Sequence, residues 1–181
     1  NGQLKPGYNL QISTNNQFIL SYSLHPNPTD TNTLKPHLEH FKNLYGRYPE
    51  AITGDAGYGS EENYNLLENN GIEAYVKYNY FEKEQSKRAV KSPFRLENMP
   101  YDTDTDSYLC PGGQDIKKTG ERNRFSENGY KQTYLIYQAD NCEGCLMQQQ
   151  CSQKTKNKTF EINNQLNRYK ARANEILNSE Q

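Results

Sequence analysis

Two β-type runs, GYNLQIST (residues 7–14) and QFILSYSL (residues 17–24), meet at Asn15 and Asn16, and this junction most constrains the fold of the first part of the chain. Asparagine tolerates the left-handed backbone that tight hairpins need, so the runs predict an antiparallel hairpin, Tyr8 to Thr14 with Phe18 to Leu24. HPNPTD then breaks the strand. Asp30 can cap a helix in which Leu34, Leu38, Phe41 and Tyr45 recur at helical spacing. Pro36 fits if that helix begins near Leu34, because a first-turn N–H has no partner to lose. PEAITG predicts a short buried strand, and Ser60 to Asn69 a helix opened by SEEN and stopped at NNG. IEAYVKY predicts another strand. The order strand, strand, helix, strand, helix, strand is that of an α/β domain.

Beyond Tyr78 the pattern changes. Residues 79–157 are charged and tyrosine-rich, contain all four cysteines and hold short strand-like pieces such as KQTYLIYQ, which predicts a β-rich inserted subdomain. In FEINNQLNRYKARANEIL, the residues Leu166, Tyr169, Ala173, Ile176 and Leu177 form one apolar stripe of a terminal helix. The expected partition is 1–78 as core, 79–157 as insertion, and 158–181 as a basic strand and helix returning to the core.

An apolar fraction of 33% with mean hydropathy −1.12 would by itself suggest disorder, but fifteen Tyr and six Phe supply the faces of a thin core. No apolar run has the length of a membrane span and no signal peptide precedes the first strand, which predicts a soluble, intracellular chain. The absence of an initiator Met reads as a piece of a longer protein. Charge is uneven: residues 1–76 carry four Lys and Arg against eight acids, whereas Lys154, Lys156, Lys158, Arg168, Lys170 and Arg172 stand against Glu161 alone in 154–172. The basic tail is a candidate DNA-contacting surface, the alternative being an ordinary solvated one.

Asp55 stands between the strand AITG and a glycine-rich turn. In an open α/β sheet reacting groups gather at the carboxyl ends of strands, so Asp55 is the candidate catalytic acid, with Gly54, Gly57 and Tyr58 as candidate pocket residues. One carboxylate does not hold a catalytic Mg²⁺ alone, so partners must come from other segments. Without that chemistry, GDAGYGS is a strand-to-helix turn with a capping aspartate. His37 and His40, three apart, have no acidic or thiol partner in register and predict a solvated helix face. Cys110, Cys142, Cys145 and Cys151 form C-x31-C-x2-C-x5-C, half of a zinc-ribbon spacing, and leave structural Zn²⁺ and free thiols as the alternatives.

GDAGYGSEENYNLL, preceded by GYNLQISTNNQFILSYSLHPNPTDTNTLKPHL and followed by GIEAYV, YLCPGG and CEGCLMQQQC, resembles the catalytic domain of insertion-sequence transposases of the DDE class. The resemblance implies a ribonuclease H-like core, Mg²⁺- or Mn²⁺-dependent DNA cleavage and strand transfer, and DNA as partner. It also implies a homo-oligomer on DNA and a cytoplasmic protein that joins the nucleoid when bound. In that family the aspartate of D-x-G-Y is the second acid of a triad, and Asp55 is its match; an acid near the NPTD loop is common there too, which implies Asp30 as a further pocket residue. The first acid lies on a strand upstream of GYNLQ and the closing glutamate on a helix after the insertion; neither segment is evident, so the chain resembles the middle of a transposase, expected to be inactive alone. The alternatives are a nucleic-acid-binding module and a metal-stabilised structural module without catalysis.

Overall fold

The structure is a computed structural model and describes residues 7–85, 92–151 and 157–179. It divides into two compact units, residues 1–81 with 166–181, and residues 82–165. The element order of the first unit follows the sequence pattern. Strands β1 (Asn9–Asn15) and β2 (Phe18–His25) form the hairpin, in antiparallel register from Asn9 opposite His25 to Asn15 opposite Phe18. The left-handed pair at its tip is Asn16 and Gln17, one residue later than the two asparagines predict.

Helix α1 (Leu34–Tyr45) starts where Pro36 falls in its first turn and stops at Gly46, whose φ of 72° lets its N–H reach the carbonyl of Lys42. Strand β3 (Ala51–Gly54), helix α2 (Glu61–Asn69) and strand β4 (Glu73–Val76) make a parallel β-α-β unit in which Gly54 pairs with Val76. Ser60 caps α2 by accepting from the N–H of Asn63, as SEEN predicts. The last helix, α5 (Asn164–Ser179), brings Tyr169 and Ala173 into a core built on Leu34, Leu38, Tyr64, Leu67 and Val76. Tyr64 and Tyr169 stack with ring centroids 5.6 Å apart.

Three expectations fail in this unit. Strand β3 is not buried: its four residues are exposed or half-buried. Asp30 does not cap α1: it opens a separate 3-10 turn, Asp30–Asn32, and the residue before α1 is Thr33, which makes no side-chain capping bond. His37 is not on a solvated face; it is buried, because α1 turns Leu34, His37 and Leu38 inward while His40 remains exposed.

The second unit opens within a short helix, α3 (Phe81–Glu84), and holds a five-stranded antiparallel sheet. Its spatial order is β5 (Tyr101–Asp102), β6 (Ser107–Leu109), β7 (Asp115–Phe125), β8 (Lys131–Ala139) and β9 (Thr159–Ile162). The expectation of short strand pieces misses β7, the longest strand of the chain among the described residues. Met99, Ile116, Tyr137, Ala139 and Ile162 form its core. A one-turn helix, α4 (Gln148–Cys151), ends at the last cysteine. The mixed α/β class holds, with the second unit β-rich. No helix among the described residues is long and apolar enough to cross a membrane.

Candidate functional site

Strand β3 ends at Gly54 and delivers Asp55 to its carboxyl end, where the chain enters a 3-10 turn, Ala56–Tyr58. The exposed Asp55 carboxylate caps this turn, its Oδ1 accepting from the N–H of Gly57 at 2.8 Å. The glycines serve space rather than φ, since none of Gly54, Gly57 and Gly59 takes a positive φ. At Gly57 a Cβ would stand 3.0 Å from Asp30 Oδ2 and 3.0 Å from Asp55 Oδ1, so two carboxylates from distant segments approach one backbone point. The turns that carry them are stitched together. Thr31 Oγ1 donates to the carbonyl of Gly57, and the Asn63 amide donates to the carbonyls of both Thr31 and Tyr58.

Asp30 is held from β1. Asn9 Nδ2 and Gln11 Nε2 both donate to its Oδ1, at 2.8 and 2.9 Å, and the Tyr58 hydroxyl donates to Gln11 Oε1. Burial pushes the Tyr58 phenol above its ordinary range, the charges of Asp30 and Asp55 push it further, and the bond to Gln11 opposes them. Sequence reasoning finds Asp55, Asp30, Gly54, Gly57 and Tyr58, and the structure brings them together; it misses Asn9 and Gln11. The signal for them was the polar alternation Asn9, Gln11, Ser13 along β1, one face of the strand.

Beside this pocket the edges of β1 and β3 do not pair with each other. They line a cavity of about 600 Å³, walled by residues 11–15 and 51–54, floored by α1 and bounded by Tyr58.

The basic residues are engaged with neighbours. Arg168 makes a two-pronged contact with Glu68, at 2.6 and 3.0 Å, and Arg172 joins it at 3.2 Å. The hydrogen bond from Arg168 is the main reason the Glu68 carboxyl lies below its usual range. Lys170 lies over the Tyr78 ring and Lys158 over the Phe160 ring. Lys154 and Lys156 lie outside the described residues.

In the second unit the four cysteines are free thiols that line one cavity of about 30 Å³. A Cβ at Gly112 would stand 3.1 Å from Cys145 Sγ and 3.6 Å from Cys110 Sγ. Backbone N–H groups of Gln114 and Lys158 donate to Cys110 and Cys142 sulfur, each at 3.3 Å. Burial raises the Cys151 thiol above its ordinary value; Lys158 opposes this, and the other three cysteines add to it. Among the described residues no group of three or more His, Cys, Asp or Glu side chains is arranged to hold a metal ion.

A family model described as "Transposase DDE domain" matches residues 109–181. Residues 109–181 are similar to a transposase DDE domain. The matched span contains all four cysteines and the described basic residues of the tail, whereas Asp55 and its pocket lie ahead of it. No curated protein and no solved structure matches the chain.

Proposed function

We propose that the chain is the central part of a transposase that cleaves DNA and joins strands with Mg²⁺ or Mn²⁺, and that Asp55 is one of its catalytic acids. The observation that carries this reading is the position of Asp55 at the carboxyl end of β3, with the Asp30 carboxylate brought against the same turn. The donor set suits a hard divalent cation: two carboxylates, each with one oxygen, Asp30 Oδ2 and Asp55 Oδ2, that no hydrogen bond among the described residues occupies. Asp55 would hold the ion, with Asp30 beside it. When bound, such ions stabilise the charge that develops on phosphate oxygens during in-line displacement.

The cavity between β1 and β3 supports a ribonuclease H-like core. A strand added there would join the two sheet pieces into one, and an acid on it would stand beside Asp55, the place where the resemblance puts the first acid. Arg168, Lys170, Arg172 and Lys158, with Lys154 and Lys156, are proposed to contact the DNA backbone. The Arg168 and Arg172 side chains are half exposed, 50% and 59%, so phosphate can compete with Glu68 for them.

The test is Asp55→Asn in the intact protein, measuring donor-end cleavage with Mg²⁺ or Mn²⁺ and thermal stability together. Asn keeps size and the capping acceptor, so stability should change by no more than about 1 kcal/mol, the scale of a cap. Cleavage should fall by orders of magnitude, because triad acids act as a unit. Near-normal cleavage with a lowered midpoint would make Asp55 a structural cap.

A second reading, a metal-stabilised structural module, is favoured by the four thiols lining one cavity. Closing these sulfurs around Zn²⁺ would release the thiol protons and form four Zn–S bonds, with the N–H groups of Gln114 and Lys158 donating to Cys110 and Cys142 sulfur as outer partners. Zinc content of protein purified without chelator decides it; a metal-free chain with four freely reactive thiols removes zinc.

A further inference from the structure

We propose that Gln11 is a positioning residue for the acidic pocket, its carboxamide holding Asp30 so that one carboxylate oxygen faces the Asp55 turn. This rests on the transposase reading above. Gln11 is 5% exposed, and a buried carboxamide must find partners for both ends. It finds them in one sense only. Nε2 donates to Asp30 Oδ1 and to Asn9 Oδ1, the latter at 2.7 Å, while Oε1 accepts from Tyr58. Reversing the amide would set its oxygen against the carboxylate and its NH₂ against a hydroxyl that has no need of a donor.

With Asn9 also donating to it, Asp30 Oδ1 is fully occupied, and Oδ2 is left toward Gly57, beside Asp55 Oδ1. The hydrogen bonds therefore do more than bury Asp30: they fix which oxygen is presented. They also link β1 to the Asp55 turn through Tyr58. Outer partners of this kind orient a ligand and commonly change metal affinity ten- to a hundredfold when removed.

The experiment is a titration of the intact protein with Mn²⁺ alone, by calorimetry, beside the thermal midpoint of each metal-free variant. Gln11→Met keeps the buried volume and removes both polar ends. It should weaken Mn²⁺ binding about tenfold. In an Asp30→Asn background the same substitution should cost nothing further, because Gln11 acts through Asp30. A role confined to folding would move the midpoint and leave the affinity of the folded protein unchanged, and that result overturns the proposal. If Gln11→Met does not fold, Tyr58→Phe frees the same carboxamide while keeping the ring, and unchanged Mn²⁺ affinity there overturns it equally. Asp55→Asn separates the two levels of argument: if it abolishes binding while the Gln11 variants bind normally, only the positioning role fails. If Asp55→Asn also binds normally, the catalytic reading of Asp55 falls, and the positioning role with it.

Discussion

At Gly59 a methyl group would stand 2.3 Å from the carbonyl oxygen of Lys77 and 2.7 Å from the Cα of Tyr78, both backbone atoms that cannot rotate aside. Gly59→Ala should therefore destabilise the first unit by about 1–3 kcal/mol, the cost of overpacking, read from denaturant unfolding. His37 gives the pH dependence. It lies between Ser13 and Ser23, one hydroxyl at each ring nitrogen, and burial pushes its imidazole below the ordinary value of 6.5, with His25 and His40 adding their charge. Below pH 6.5 the unfolded chain takes up a proton that the folded chain refuses, so stability falls with pH until the folded value is passed. The slope of the thermal midpoint between pH 7.5 and 5.5, about the range in which an imidazole titrates, should be shallower in His37→Gln. A slope unchanged by the substitution would assign the pH response to other groups.

Along the hairpin, the two faces are used in an unusual sense. Leu10, Ile12, Tyr22 and Leu24 share the outer face and are 50–65% exposed, while Gln11, Ser13, Ser21 and Ser23 face α1. Ser21 is 2% exposed and its hydroxyl has no partner among the described residues, so Ser21→Ala should be neutral or stabilise by up to about 1 kcal/mol, measured by denaturant midpoint. A clear loss of stability would mean that the hydroxyl has a partner in solution. This inverted hairpin explains where the sequence was legible. Strand and helix positions in residues 8–78 followed from periodicity, because each apolar run has a turn residue at its end. Which hairpin face is covered did not follow, since alternation marks two faces without saying which one meets a helix. His37 was misread for that reason: its partners are serines on the inward face, and serine carries no signal of its own. Asp30 was recognised as polar and near the pocket, but its helix-capping role required Thr33 not to lie between. Strand β7, DIKKTGERNRF, has almost no apolar alternation to detect. It is held by its neighbours and by ion pairs from Arg122 and Arg124 to Glu161 of β9.

In the whole molecule the two hydrophobic clusters share no residue. One joins Leu67 and Val76 to Tyr169, and the other joins Ile116 and Tyr137 to Ile162. Two separate cores allow two cooperative transitions, in which case a single unfolding free energy is not defined for the chain. Leu67 is 1% exposed and Ile116 is 0% exposed, so truncating either to Ala should cost its own unit about 2–5 kcal/mol. Scanning calorimetry of the intact protein should show Leu67→Ala lowering one transition and Ile116→Ala lowering the other. The cysteines give a third handle on the same experiment. If they hold Zn²⁺, binding stabilises only the unit that contains them, so a chelator should lower the transition that Ile116→Ala lowers and leave the Leu67→Ala transition in place. Cys110→Ser should act like the chelator, because Cys110 comes from the β6 end of the cavity and the other three sulfurs from the segment before β9. A chelator without effect would leave the cavity a cluster of free thiols. One transition that moves with all of these changes would show that the two cores unfold as a single cooperative body.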